Sequence, residues 1–139
     1  MNIQVKSYFA EGALVLRIAL GTMWIAHALL KWWVFTIPGF AGWLTSQGLP
    51  AFMAWPVFLI ELIGGFMLLL GVYGRYVSAA LIPLMLVAAW THSANGWLHT
   101  SEGGGWEYPI FLVFASIAHV LIGDGRYALH GVPAKELTS

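Results

Sequence analysis

The sequence predicts an all-α membrane protein, a bundle of four transmembrane helices with the N and C termini both cytoplasmic, and three observations carry that prediction. Of 139 residues, 60% are hydrophobic and only 9% charged, against roughly 25% charged in an average soluble domain. The apolar residues gather into four runs long enough, at about 1.5 Å per residue, to cross most or all of a bilayer core. Polar residues within those runs recur on single helix faces, as side chains do when they look inward and not at lipid.

The composition also excludes functions. Six Lys plus Arg balance six Asp plus Glu, so no basic field attracts nucleic acid. The absence of cysteine removes disulfides, thiol relays, iron-sulfur ligation and covalent haem attachment together. Any redox role must therefore use a bound cofactor or substrate.

Residues 1–11 read as a short amphipathic lead-in. The first helix is expected over 12–35 and is read as retained, because no small-residue cleavage site follows a compact apolar core. Arg17, Gly21, Trp24, His27 and Lys31 share one broad face of it. Residues 36–54 hold no charge but several Gly, Pro and aromatic residues, and are expected to be a loop in the headgroup region. The second helix, 56–72, opens on Pro56, which suits a first helical turn. It carries one carboxylate, Glu61, beside Gly64 and Gly65, small residues that let a neighbouring helix approach. A charge at that depth costs about 2.5 to 3.5 kcal/mol and is expected to have a partner.

YGRY (73–76) reads as a tight turn and 77–92 as the third helix, with Pro83 inside it. The stretch 91–109 is the most polar and holds His92, His99, Glu102, Glu107 and the flexible GGG of 103–105. The fourth helix, 108–122, places Ser116 and His119 three residues apart on one face, and a structural histidine satisfied by a backbone carbonyl or a serine, Ser116 being at hand, is the simple expectation. The whole chain, 1–139, reads as a single membrane domain.

Four spans put both termini and Arg75 at one end with Lys6, Arg17, Arg126 and Lys135, and leave Lys31 at the other, hence the cytoplasmic termini. Arg17, Asp124 and Arg126 form a structural cluster there. His27, Lys31, Glu61, His92 and Glu107 then meet in the outer leaflet. Lys31 and Glu61 form either a structural pair or part of a ligand site. A haem between His27 and His92, or a metal among His92, His99, Glu102 and Glu107, are further readings, but no spacing matches a compact pattern, and neither group is predicted.

The ordered set RIALG (17–21), Lys31, GLP (48–50), ELIGGFMLLLGVYGR (61–75), His92, GGGWEYP (103–109) and GDGRYALHG (123–131) resembles the DoxX family of small four-helix membrane proteins. The resemblance runs from about residue 14 to 131. It implies a bundle in the bacterial inner membrane and a redox setting, since the related DoxD proteins form the membrane part of thiosulfate:quinone oxidoreductase. Lys31, Glu61, Gly64, Gly65, His92 and Glu107 match its polar and glycine pattern, whereas His27 stands where many members lack a histidine.

The expectation is a quinone-interacting subunit or accessory partner of a membrane oxidoreductase. Glu61 and His92 are the candidate catalytic residues, exchanging protons. His27 and Lys31 would donate hydrogen bonds, Trp24 would pack on the ring and Glu107 would complete the site. A redox protein partner would supply electrons, and a homodimer is open. The alternatives are a non-enzymatic membrane scaffold and a carrier of a small metabolite or metal.

Overall fold

A computed structural model of the chain describes residues 8–131. Five α-helices follow in order: α1 (Phe9–Leu29), α2 (Ile37–Ser46), α3 (Ala54–Leu70), α4 (Gly74–Thr91) and α5 (Glu107–Ile122). Among the described residues there is no strand, only an isolated bridge between Val72 and His130. Of the lead-in expected over 1–11, residues 1–7 lie outside the described residues, as does the tail beyond residue 131, while Phe9, Ala10 and Glu11 already belong to α1.

Three stretches are apolar and long enough to cross a membrane: Phe9–Val34, Ala51–Leu70 and Gly74–Thr91. The shorter apolar α5 completes a four-helix bundle. Its core joins Leu20, Met23 and Trp24 of α1 with Leu68 of α3, Leu81 and Met85 of α4, and Leu112 and Val113 of α5. Pro83 is accommodated inside α4.

The α1–α3 seam is the tightest. A Cβ on Gly65 would lie 2.9 Å from the Ile25 nitrogen and 3.0 Å from the Gly21 carbonyl oxygen, and one on Gly21 would lie 2.9 Å from the Gly65 oxygen. Both positions must be glycine for the backbones to come this close. In lipid such packing replaces the hydrophobic drive that lipid itself removes.

Residues 36–54 correct the sequence reading. They are not a loop but fold into α2, followed by a 3₁₀ turn at Ala51–Met53. Thr36 starts α2, its Oγ1 accepting the Gly39 N–H at 3.2 Å, and Pro38 sits in the first turn, where no N–H is missed. Ile37, Phe40 and Leu44 recur at helical spacing and are all buried, packing with Ala28 of α1 and Ala54, Val57 and Phe58 of α3. The helix therefore lies against the bundle.

Beyond α5, residues 123–131 run as a strap across the bundle. Arg126 N–H donates to Ala10 O at 3.1 Å, Leu129 N–H to Leu70 O at 3.1 Å and His130 N–H to Gly71 O at 3.0 Å. The start of α1, the α3–α4 turn and the strap thus share one end, here the terminal end. The opposite, loop end holds α2, the segment from His92 to Trp106 and the start of α5.

Aromatic residues sort by end. Every tryptophan except Trp24 lies toward the loop end, and every tyrosine except Tyr108 toward the terminal end. From Trp55 to Tyr73 is about 27 Å of helical rise, close to a hydrocarbon core of about 30 Å. Two interfacial belts bracket the apolar span.

Candidate functional site

At the loop end, α1 does not simply stop. Leu30–Val34 is a π-turn, with the Phe35 N–H reaching back to Leu30 O at 3.0 Å. This wider turn carries Lys31, and such turns often mark functional positions. Lys31 Nζ donates to both oxygens of Glu61, at 2.8 and 3.1 Å. Phe40 of α2 covers the ammonium, its ring centroid 5.1 Å away. The side chains are only 13% and 7% exposed. Each charge thus answers the other beneath α2, which makes the pair a lock between α1, α2 and α3.

The other loop-end residues take separate partners. His27 Nδ1 lies 2.9 Å from the Met23 carbonyl oxygen of its own helix, and its ring stacks on Tyr108 of α5 at 6.1 Å. His92 Nδ1 lies 2.7 Å from Ala88 O, with Trp43 of α2 against its ring at 6.0 Å. In both, a carbonyl accepts the Nδ1 proton and Nε2 remains the free acceptor. Glu107 pairs with His99, its Oε1 accepting from the backbone N–H at 2.7 Å and from Nδ1 at 2.6 Å. Trp24 is 1% exposed and sits in the bundle core. Among the described residues no group of three His, Asp or Glu comes together as a metal site.

One cavity collects several of these groups. It measures about 730 Å³ and is lined by Trp97, His99, Glu107, Tyr108, Ile110, Phe111 and Phe114. Its polar end is the His99–Glu107 pair and Tyr108, and its remaining walls are aromatic and aliphatic. Phe111 and Phe114 are 65% and 68% exposed along α5, so the groove opens on the lipid-facing side, reaching about 10 Å down the helix from Glu107. His27, through Tyr108, flanks its polar end.

The groove thus joins a polar head to an apolar wall. The Tyr108 hydroxyl can donate a hydrogen bond there, His99 with its Nδ1–H on Glu107 presents Nε2 as an acceptor, and Ile110, Phe111 and Phe114 form the apolar wall. Sequence reasoning named Glu107 and His27 for a quinone site, grouped His99 with Glu107 only in the metal reading, and gave Tyr108 no role. The i to i+8 return that joins His99 to Glu107 depends on the loop's path, in which Trp106 N–H reaches Gly96 O at 3.2 Å and Glu107 N–H reaches Trp97 O at 3.0 Å.

The terminal end holds a second polar cluster. Arg17, 1% exposed, donates to four backbone oxygens: Asp124 at 2.8 Å, Leu68 at 2.8 Å, Leu69 at 2.7 Å and Arg126 at 2.9 Å. Two of these, Leu68 and Leu69, are carbonyls of the last turn of α3, where a cation is favoured. Gly71 ends that helix in the left-handed region at φ 67°, and a Cβ there would sit 2.8 Å from the guanidinium. The expected cluster therefore forms in altered detail. Arg17 grips the Asp124 and Arg126 main chain, while the Arg126 side chain pairs with Glu11 at 3.3 Å. His119 is bonded not to Ser116 but to Ser78 of α4, Oγ to Nδ1 at 2.7 Å, because α5 turns its ring toward α4.

Fold and site together define a small helical membrane protein with a lipid-open groove headed by ionisable side chains. Residues 12–94 match the DoxX family model, well over half the chain, and the protein belongs to the DoxX family. The chain is 33% identical over 121 residues, 87% of its own length and 86% of the relative's, to a Bacillus subtilis (strain 168) protein described as "Putative oxidoreductase CatD". No solved structure matches it. The family match spans α1 to α4 and includes Lys31, Glu61 and His92; the groove on α5 lies beyond it.

Proposed function

We propose that this DoxX-family protein is a quinone-interacting membrane subunit, held in the bacterial inner membrane with both termini cytoplasmic, that works with a redox protein partner. The observation that carries the reading is the groove on α5, in which a carboxylate-anchored histidine and a tyrosine meet apolar walls open to lipid. The description of the Bacillus subtilis relative as an oxidoreductase supports the same class.

A bound quinone supplies two-electron redox chemistry that the side chains lack. Tyr108 positions the ring by donating a hydrogen bond. With its Nδ1 proton on Glu107, neutral His99 presents Nε2 as the base that accepts a proton from a quinol hydroxyl, and Glu107 stabilises the imidazolium so formed. His27 backs the Tyr108 ring. Lys31 and Glu61 keep the helices in register beneath α2; His99, 71% exposed, passes each of the quinol's two protons to solvent in turn, and the two electrons go to the partner.

Isothermal titration of the protein in lipid nanodiscs with a decyl-tailed benzoquinone tests this. Binding is expected, weakened about ten- to a hundredfold in His99→Ala and in Tyr108→Phe, as for loss of one strong hydrogen bond, and unchanged in the paired Lys31→Met/Glu61→Leu variant. Wild-type affinity in both His99→Ala and Tyr108→Phe would remove the site from the groove.

A further inference from the structure

Asp124 presents a problem that neither the groove nor the helix lock explains. It is 1% exposed, and neither carboxylate oxygen has a hydrogen-bond partner among the described residues. Its nearest ionisable neighbour is His119, 0% exposed, whose Nε2 lies 3.4 Å from Oδ1 and is likewise without a hydrogen bond. The carboxylate also stands at the start of α4, where a Cβ on Gly74 would collide with Oδ1, and this helix end favours negative charge. A buried carboxylate without donors is costly, so the position is expected to serve a ligand.

We propose that Ser78, His119 and Asp124 form a buried proton-binding site at the terminal end, taking up one proton per chain. Two guanidinium groups, Arg17 and Arg75, stand near the pair. Arg17 of α1 is cationic but engages four main-chain oxygens, so it balances the charge of Asp124 without bonding to the carboxylate. Arg75 of α4 donates to Leu121 O at 3.0 Å. The last turn of α3 contributes carbonyls, and the Arg126–Glu11 pair lies outside the pocket.

With His119 neutral, Nε2–H faces the carboxylate and the Ser78 hydroxyl donates to Nδ1. The incoming proton goes to Nδ1, the Ser78 hydroxyl rotates to accept from it, and Asp124 keeps its negative charge opposite the imidazolium. One proton is bound, no covalent bond breaks and no electron moves. Although serine, histidine and aspartate stand in the order of a nucleophilic triad, Ser78 is 1% exposed, so the trio holds a proton and does not attack a substrate.

The site is independent of the quinone reading and is tested without quinone. Nitrogen-15 spectra of histidine-labelled protein in nanodiscs, taken from about pH 5 to 9 where imidazoles titrate, report the state of each ring nitrogen. His119 is expected to pass from an acceptor-type Nδ1 to a protonated one, alone among rings that never meet solvent. Asp124→Asn should lower its proton affinity about tenfold or more, and Ser78→Ala should change the Nδ1 signal while leaving tryptophan fluorescence native. A single protonation state of His119 across the range in the wild type overturns the proposal, as does an unchanged titration in Asp124→Asn. If Asp124→Asn does not fold, the wild-type titration and the Ser78→Ala spectrum decide the matter.

Discussion

Removing one member of the Lys31–Glu61 pair should be far more damaging than removing both. In Lys31→Met the Glu61 carboxylate keeps 7% exposure but loses its donor at 2.8 and 3.1 Å, and no other donor reaches it among the described residues. Breaking a buried pair in this way costs about 3 to 5 kcal/mol. Glu61→Leu leaves the ammonium with the face of Phe40 at 5.1 Å and the His27 oxygen at 3.5 Å, contacts that offset about 1 to 2 kcal/mol of that loss. Lys31→Met/Glu61→Leu removes both charges and retains bulk, so it should fall within about 1 kcal/mol of wild type or exceed it. The coupling energy is then at least about 2 kcal/mol. Reversible unfolding in mixed micelles, read by tryptophan fluorescence, yields all four free energies. Single variants within 0.5 kcal/mol of wild type, in the sense of about the noise of such cycles, or strictly additive effects, would refute the idea that this pair locks the bundle.

Further outcomes follow from other contacts. Gly65→Ala places a Cβ 2.7 Å from Ile25 Cγ1 and 2.9 Å from the Ile25 nitrogen, so the α1–α3 seam must open; a loss of about 1 to 3 kcal/mol is expected in the same unfolding assay. Arg17→Lys exchanges a fork that meets four carbonyls for a point donor, and should cost about 3 kcal/mol and expose the strap to limited proteolysis near Arg126. Thr36→Val removes the cap on Gly39 N–H and should destabilise α2 by about 1 kcal/mol, visible as faster hydrogen exchange at Gly39 and Phe40.

Much of the bundle was legible because lipid makes the spans conspicuous. Backbone groups in a bilayer must bond within their own segment, so long apolar runs become helices nearly regardless of neighbours. The predicted 56–72 and 108–122 lie within two residues or so of α3 and α5. The Lys31–Glu61 pair was legible for a related reason, since a charge in such a run needs a counter-charge at its own depth. Legibility failed at α2, where Gly, Pro and aromatic content suggested a loop; its buried stripe of Ile37, Phe40 and Leu44 was the overlooked signal. It failed again at His119, where Ser116 on the same helix was visible by spacing and Ser78, 41 residues away, was not.

The amino-acid sequence by itself thus determined the medium, the number of spans, the close glycine seam and the need for a partner at Glu61, because each follows from local composition or from the cost of a bare charge in lipid. Only the tertiary structure decided which polar groups meet. The rotation of each helix about its axis is set by packing with all the others, and a small rotation exchanges one partner for another. That is why Arg17 holds main-chain oxygens in place of the Asp124 carboxylate, why His99 joins Glu107 at the groove, and why Asp124 and His119 are left facing each other in a buried pocket.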